Sequence, residues 1–276
     1  MKTNKISGYF MYSLLVTWGF FTLFPLVYML YSSFLSPDDI RVSSISFFSN
    51  ITKLTTMNYT ELFKNSQMVA WFVNSAIICL AVTFLQMLIN GMAGYALAKK
   101  RFVMREGIFW IFIAVMMIPS QIVCVPLFIL VCDLKLIDTL WAVILPSLVS
   151  PFGIFMVKQY MEALPDDVLD SARIDGCSEF GLFFKIVVPM SMPVFATLGT
   201  FVFIATWNAF LWPLLVLFSE DRYTLSVGLA TLQGQHIIDY GLLMAGAVIS
   251  AVPIFFMFAF FSKYIIKGAT EGAVKG

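Results

Sequence analysis

The chain is predicted to be an all-α, polytopic membrane protein with six transmembrane helices, and three observations predict it. Six long stretches contain no Asp, Glu, Lys or Arg: Ile6 to Pro37, Asn65 to Ala98, Gly107 to Cys132, Thr139 to Val157, Ile186 to Ser219 and Tyr240 to Ser262. The composition, 60% hydrophobic and 12% charged with a mean hydropathy of +0.90, lies far from the roughly 45–50% and about 25% of soluble domains. Each stretch is continuously apolar rather than alternating, which excludes a barrel. About 20 residues rising about 1.5 Å each cross a hydrocarbon core about 30 Å thick, where only helices or closed barrels satisfy the backbone.

The spans fall at about 9–32, 70–98, 107–132, 139–158, 191–218 and 241–264, within a single membrane domain of residues 1–276. The first follows Lys2 and Lys5 as a signal peptide would. It is longer than the roughly 7–15 residue apolar core of such peptides and has no clear small-residue cleavage site, so it is read as a retained span. Span two carries Asn74, Gln86 and Asn90, span three Ser120 and Gln121, and span five Thr197, Thr200, Thr206 and Asn208. In hydrocarbon such groups face other helices or a water-filled path. Asn90, Gln121 and Asn208 are therefore candidates for a substrate pathway, with hydrogen bonding between helices the plainer alternative. Asn208 stands out because Trp207 and Trp212 flank it and Pro213 removes a helical hydrogen bond beside it. Pro25, Pro119, Pro126, Pro146 and Pro253 predict kinks in the other spans.

Positive charge sets the orientation. With the N-terminus inside, one side of the membrane collects twelve of the seventeen Lys and Arg and the other side five, while the acidic residues divide evenly. Both termini are therefore expected in the cytoplasm. No ionisable group sits at membrane depth, which excludes proton or ion coupling and an intramembrane aspartyl protease. A serine protease would usually need a base on a neighbouring helix, and none is present. The only Lys followed by Ser or Thr is Lys2, too near the start for a phosphate-binding loop. Uphill movement would draw its energy from another chain. Cys79, Cys124, Cys132 and Cys177 form no CxxC pair and read as small apolar residues, so no metal site is expected; the lone His236 reads as a loop residue. A net charge of +1 gives no sign of a nucleic-acid partner.

The longest cytoplasmic interval, 161–189, carries the most specific pattern. Pro165 opens a helix, Asp166 and Asp167 complement its positive end, and Gly176 is placed to end it. Ser178 reads as the cap of a second short helix, which Pro189 and Pro193 should stop. Val168, Leu169, Ala172 and Ile174 give the first helix an apolar strip, suited to a groove on a soluble partner or to the membrane surface.

Here the sequence resembles the permease subunits of ATP-binding-cassette importers. Asp170-Ser171-Ala172-Arg173-Ile174-Asp175-Gly176-Cys177-Ser178, then Ile186 and Pro189, stand in the order and spacing of that family's EAA loop, with Asp170 where Glu is usual and Ser171 and Cys177 where Ala is usual. Ala93-Gly94-Tyr95-Ala96-Leu97-Ala98, Trp207-Asn208, Leu242-Leu243-Met244-Ala245 and Gly272-Ala273-Val274-Lys275-Gly276 are similar to the carbohydrate-uptake permeases of the MalG type.

The resemblance implies a type I importer permease fold in a bacterial cytoplasmic membrane. It implies partners: a second permease of the MalF type, two ATP-binding subunits that carry ATP and Mg2+, and an extracellular or periplasmic sugar-binding protein. No cofactor is expected on this chain and no catalytic residue. Asp170, Ser171, Ala172, Arg173, Asp175 and Gly176 would couple to the ATPase. Gly234 and Gln235 would reach the binding protein. Asn208, Trp207, Gln121 and Asn90 would line the sugar path. The Trp207 and Trp212 rings offer flat faces to a sugar or belong to an interfacial belt. With no Lys or Arg inside a span, a sugar is favoured over glycerol 3-phosphate. The reading from another class is a membrane scaffold that binds a partner but moves nothing.

Overall fold

A computed structural model describes residues 5–36, 39–40, 53–65, 67–232 and 239–273. The described elements are helical: α1 Lys5–Ser32, α2 Met57–Asn65, α3 Met68–Lys99, α4 Arg105–Met116, α5 Ser120–Asp133, α6 Trp141–Ser147, α7 Pro151–Glu162, α8 Asp166–Ile174, α9 Glu179–Met190, α10 Met192–Trp207, α11 Leu211–Val216, α12 Leu225–Thr231 and α13 Tyr240–Ala273. No strand occurs among the described residues. Three helices contain an unbroken stretch long and apolar enough to span a membrane: Met11–Ser32, Met68–Lys99 and Tyr240–Phe261. Three more spans arise only if bent pairs are taken together: α4 with α5, bent by 102°, α6 with α7, bent by 40°, and α9 with α10, bent by 82°.

Prolines account for where some helices break and not others. Pro119 precedes the first residue of α5 in extended conformation, and Ser150 caps α7 by accepting from the Gly153 N–H at 3.2 Å with Pro151 in the first turn. Pro25, Pro126 and Pro253 lie inside continuous helices. Pro189 and Pro193 bracket the end of α9, as the sequence leads one to expect: the helix ends at Met190, one residue past Pro189, and Pro193 stands in the first turn of α10. A π-helical turn at Phe183–Val187 precedes Pro189, and the break falls at Ser191. The wider turn re-routes the backbone bonds beside a residue that has no N–H.

The chain folds as two compact units. The first comprises Met1–Val69 and Gly228–Val252. Its centre is Asn58, which is buried and donates through Nδ2 to the carbonyls of Ser33 at 2.8 Å and Leu35 at 2.7 Å. Those carbonyls sit past the end of α1, where the helix leaves acceptors without intrahelical partners. A Cβ on Gly241 would come within 2.6 Å of the Asn58 amide. Asn58→Leu should therefore strand two buried carbonyls, at about 1–3 kcal/mol each. Limited proteolysis checks this: cleavage near residues 33–36 is expected to rise several-fold over the unsubstituted chain.

The second unit, Ala70–Val227 and Pro253–Gly276, holds the main apolar core. Val82, Val157, Met161, Leu169, Leu182, Val187 and Leu198 are all buried in it. α3 and α7 approach closely at Gly94, where a Cβ would stand 2.6 Å from Val157 Cγ1 and 3.0 Å from the Lys158 backbone nitrogen. The break between α6 and α7 is satisfied from α3. Gln86 donates to the Ser147 carbonyl, Asn90 Oδ1 accepts from the Ser150 N–H at 3.2 Å, and Asn90 Nδ2 donates to Gln86 Oε1 at 3.2 Å. A helix interrupted in an apolar interior leaves backbone groups that need such partners.

Candidate functional site

The interval 161–189 forms a helix, a tight turn and a second helix. α8 begins after Pro165 with Asp166 and Asp167 in its first turn, where carboxylates complement the positive end. It ends in a Schellman turn. The Cys177 N–H bonds to the Ala172 carbonyl at 3.0 Å, the Gly176 N–H bonds to the Arg173 carbonyl at 3.0 Å, and Gly176 is left-handed at φ +79°. Ser178 then caps α9, its Oγ accepting from the Gly181 N–H at 3.2 Å.

This geometry sorts the EAA residues by direction. Leu169 and Ala172 are buried against the core, whereas Asp170, Ser171 and Asp175 are exposed and Ile174 is 86% exposed. Ser171 Oγ donates to the Asp167 carbonyl at 2.8 Å, and Arg173 Nη1 pairs with Asp170 at 2.6 Å. Beyond the turn, Phe180 and Phe184 add exposed aromatic surface. The result is an acidic, partly apolar projection whose inner face is fixed and whose outer face is exposed among the described residues. Such a helix pair fits a groove on a soluble partner.

Charges from α3 hold the projection at its base. Lys99 Nζ reaches the Leu164 carbonyl at 2.7 Å, the Glu162 carbonyl at 3.3 Å and Asp166 Oδ1 at 2.8 Å. Lys100 Nζ pairs with Glu179, which also accepts from Tyr95 Oη at 3.3 Å and faces Arg173 Nε at 3.5 Å. The hydrogen bond from Lys99 holds the Asp166 carboxyl below the usual aspartate range, and that from Lys100 does the same for Glu179, so both are ionised at neutral pH. Nearby, Lys158 is 4% exposed, pairs with Glu162 at 2.6 Å and lies 4.0 Å from the Phe109 ring centre. In the sequence, Lys99 and Lys100 add only to the count of positive charge that orients the chain. Their pairing with Asp166 and Glu179 joins distant segments and leaves no local pattern.

The path residues are placed differently from one another. Asn208 is exposed and caps α10, its Nδ2 donating to the Ile204 carbonyl at 2.9 Å. Trp207 is buried, with its ring stacked on Phe203 at 5.8 Å and edge-on to Phe72 at 5.5 Å. Trp212 Nε1 donates to the Ala142 carbonyl at 3.0 Å. Both indoles are thus engaged in packing rather than offering a free face. Gln121 is exposed at the start of α5, next to the 102° bend. Asn90 is fully buried in the network that closes the break between α6 and α7. Gly234, Gln235 and His236 lie outside the described residues, as does the end of the chain beyond Ala273.

Elsewhere in the second unit, Asp138 gathers the segment after α11. Its carboxylate accepts from the Phe218 N–H at 2.8 Å, the Ser219 N–H at 2.9 Å and the Ser219 hydroxyl. Trp71 donates to the Glu220 carbonyl at 2.7 Å and Asn74 to the Asp221 and Tyr223 carbonyls at 2.8 and 3.1 Å. Asn74 therefore acts as a tie between segments. No grouping of three or more His, Cys, Asp or Glu side chains suited to a metal ion occurs among the described residues.

Comparison with known proteins places this arrangement. Residues 90–269 match the family described as binding-protein-dependent transport system inner membrane component. The chain is 40% identical over 259 residues to the arabinooligosaccharides transport system permease protein AraQ of Halalkalibacterium halodurans, covering 94% of this chain and 93% of that one. It is 43% identical over 220 residues to the AraQ of Bacillus subtilis, covering 79% of this chain and 78% of that one. Its fold is similar to a chain in the crystal structure of a bacterial transporter that imports the acidic polysaccharide alginate, with a TM-score of 0.82 at 20% identity over 96% of this chain and 98% of that one.

Proposed function

Because this chain belongs to the family of binding-protein-dependent transport system inner membrane components, we propose that it is the permease half of an importer whose cargo is a sugar, with arabino-oligosaccharides the first class to test. As a family member it is a cell-membrane permease of an ATP-binding-cassette importer and not itself an ATPase. Its partners are a second permease, two ATP-binding subunits that hold ATP and Mg2+, and an external binding protein. Both termini face the cytoplasm, as the excess of Lys and Arg on that side favours.

The observation that supports this most directly is the Asp166–Ile174 helix, anchored on its inner face and at both ends while its acidic and apolar outer face stands free. Closure of the ATPase pair would push this helix and rock the permease pair between outward and inward openings. Two relatives at 40% and 43% identity are named for arabinooligosaccharides, and that similarity favours the cargo class. Asn208 and Gln121, both exposed at helix breaks, are the path residues in this reading. Asn90 and Trp207 support the path from within the packing. Asn208→Ala is expected to lower arabinotriose uptake several-fold at equal expression, and unchanged uptake across several sugars would return Asn208 to a capping role.

The test is to tag the N-terminus, solubilise gently and identify the proteins that co-purify by mass spectrometry. An ATPase and a second permease are expected, with ATP hydrolysis stimulated by the sugar-loaded binding protein. Stimulation by a glycerol 3-phosphate-loaded protein instead would change the cargo. Recovery of the chain alone under conditions that preserve other membrane complexes would favour a scaffold.

A further inference from the structure

Lys99 and Lys100 are consecutive, yet each grips a different part of the projection. Lys99 closes the turn before α8 through two carbonyls, Leu164 and Glu162, and pairs with Asp166 in the first turn of α8. Its own side chain is only 6% exposed, so the ammonium is held against the protein rather than in water. Lys100 pairs with Glu179 in the first turn of α9, and Glu179 receives Tyr95 from one turn earlier on α3. Arg173, near the end of α8, faces the same carboxylate and closes the loop from the other side.

Both helices of the projection are therefore fastened at their N-terminal ends to the end of one spanning helix, by its last residue Lys99 and by Lys100 just beyond it. A helix pair held only by apolar packing can slide, because that attraction is non-directional. Directed ion pairs at two separate points oppose tilting and sliding, since either motion lengthens one of them. Along the same α3, nine and thirteen residues before Lys99, Asn90 and Gln86 bond the interrupted backbone between α6 and α7. The helix that carries the clamp thus also carries the support of a membrane-depth break.

We propose that Lys99 and Lys100 form a two-point clamp that makes the coupling projection and α3 move as one body, so that α3 delivers the ATPase's motion to the α6–α7 break. This rests on the permease reading above. Lys99, Lys100 and Glu179 are positioning residues: they act through α3 and have no part in ATP hydrolysis or sugar contact.

The experiment uses the assembled complex in nanodiscs and proteoliposomes, with wild-type arabinotriose uptake established first, so that failure of the permease reading appears before any variant is made. The double variant Lys99→Met with Lys100→Met is then compared for ATPase retention, ATP hydrolysis and sugar moved per ATP. The expected result is an ATPase that stays bound and hydrolyses ATP, with at least tenfold less sugar moved per ATP. A second variant guards against misfolding. The swap Lys100→Glu with Glu179→Lys should recover most of the ratio lost in Lys100→Glu alone. Finally, with Cys79, Cys124, Cys132 and Cys177 replaced by Ala, Lys100→Cys and Glu179→Cys are joined by a short bis-maleimide. Transport should survive the cross-link, because the joined parts already travel together. An unchanged ratio in the double variant, loss of the ATPase along with uptake, failure of the swap to recover the ratio, or arrest by the cross-link would each overturn the clamp.

Discussion

Gly176→Pro is expected to abolish sugar uptake at normal expression. The φ of +79° at Gly176 is one that Pro cannot reach, since its ring fixes φ near −65°. Pro also lacks the N–H that bonds to the Arg173 carbonyl and completes the Schellman turn. A side chain itself would meet nothing, because no atom lies within 4 Å of a Cβ built there. The effect is therefore one of backbone conformation alone, and a graded series isolates it. Gly176→Asn should be tolerated best, since Asn visits the left-handed region with little penalty. Gly176→Ala should cost about 1–2 kcal/mol of local strain and lower uptake partially. Pro should leave α8 misdirected, so that ATPase co-purification and uptake fall together. Equal uptake by the Pro variant would mean that the turn does not position the docking surface.

Gly94→Leu is expected to have the second large effect, on assembly rather than coupling. Even a Cβ at Gly94 would clash with Val157 and approach the backbone of Lys158 on α7. The backbone cannot swing aside as a flexible side chain could, so α3 and α7 must separate. Overpacking of this kind costs about 1–3 kcal/mol, and in a membrane, small residues are what allow two helices to approach closely. Separation would also pull Asn90 and Gln86 from the backbone they satisfy at the α6–α7 break. Fluorescence-detected size-exclusion chromatography should show loss of the monodisperse peak for Gly94→Leu and a smaller loss for Gly94→Ala. A Leu variant with an unchanged peak would show that the helices meet elsewhere.

Charge-free runs located the helices well because a charged residue is costly in hydrocarbon and so marks the ends of spans. α3 stops at Lys99, and α4 begins at Arg105. The cap at Ser178 and the terminator at Gly176 were legible for a similar reason: each residue type has a local backbone task that few others can perform. The breaks were less legible. Pro119 lies at the 102° bend and the 82° break falls between Pro189 and Pro193, but Pro126 lies within a continuous helix seven residues after Pro119. Whether a proline ends a helix depends on whether neighbouring groups re-satisfy the backbone, and those neighbours come from elsewhere in the chain.

The same limit applies to the polar residues inside the spans. Asn90 and Asn208 look equivalent in sequence, each an amide within an apolar run. In the structure one is buried against a helix break and the other is an exposed cap. Trp207 is buried beside Phe203 and Phe72, which belong to two different helices. The clamp on the projection was hidden for the same reason, since Lys99 and Asp166, 67 positions apart, meet only once the intervening chain folds back.

Sugar import driven by ATP is measured on the reconstituted complex. Proteoliposomes carrying this chain, its second permease and the ATPase would be loaded with ATP and Mg2+, then given labelled arabinotriose with the binding protein outside. Accumulation above the external concentration is expected, lost without ATP and lost with Gly176→Pro. Equilibration of the sugar regardless of ATP, or no entry of any sugar by an assembled complex that hydrolyses ATP, would contradict it.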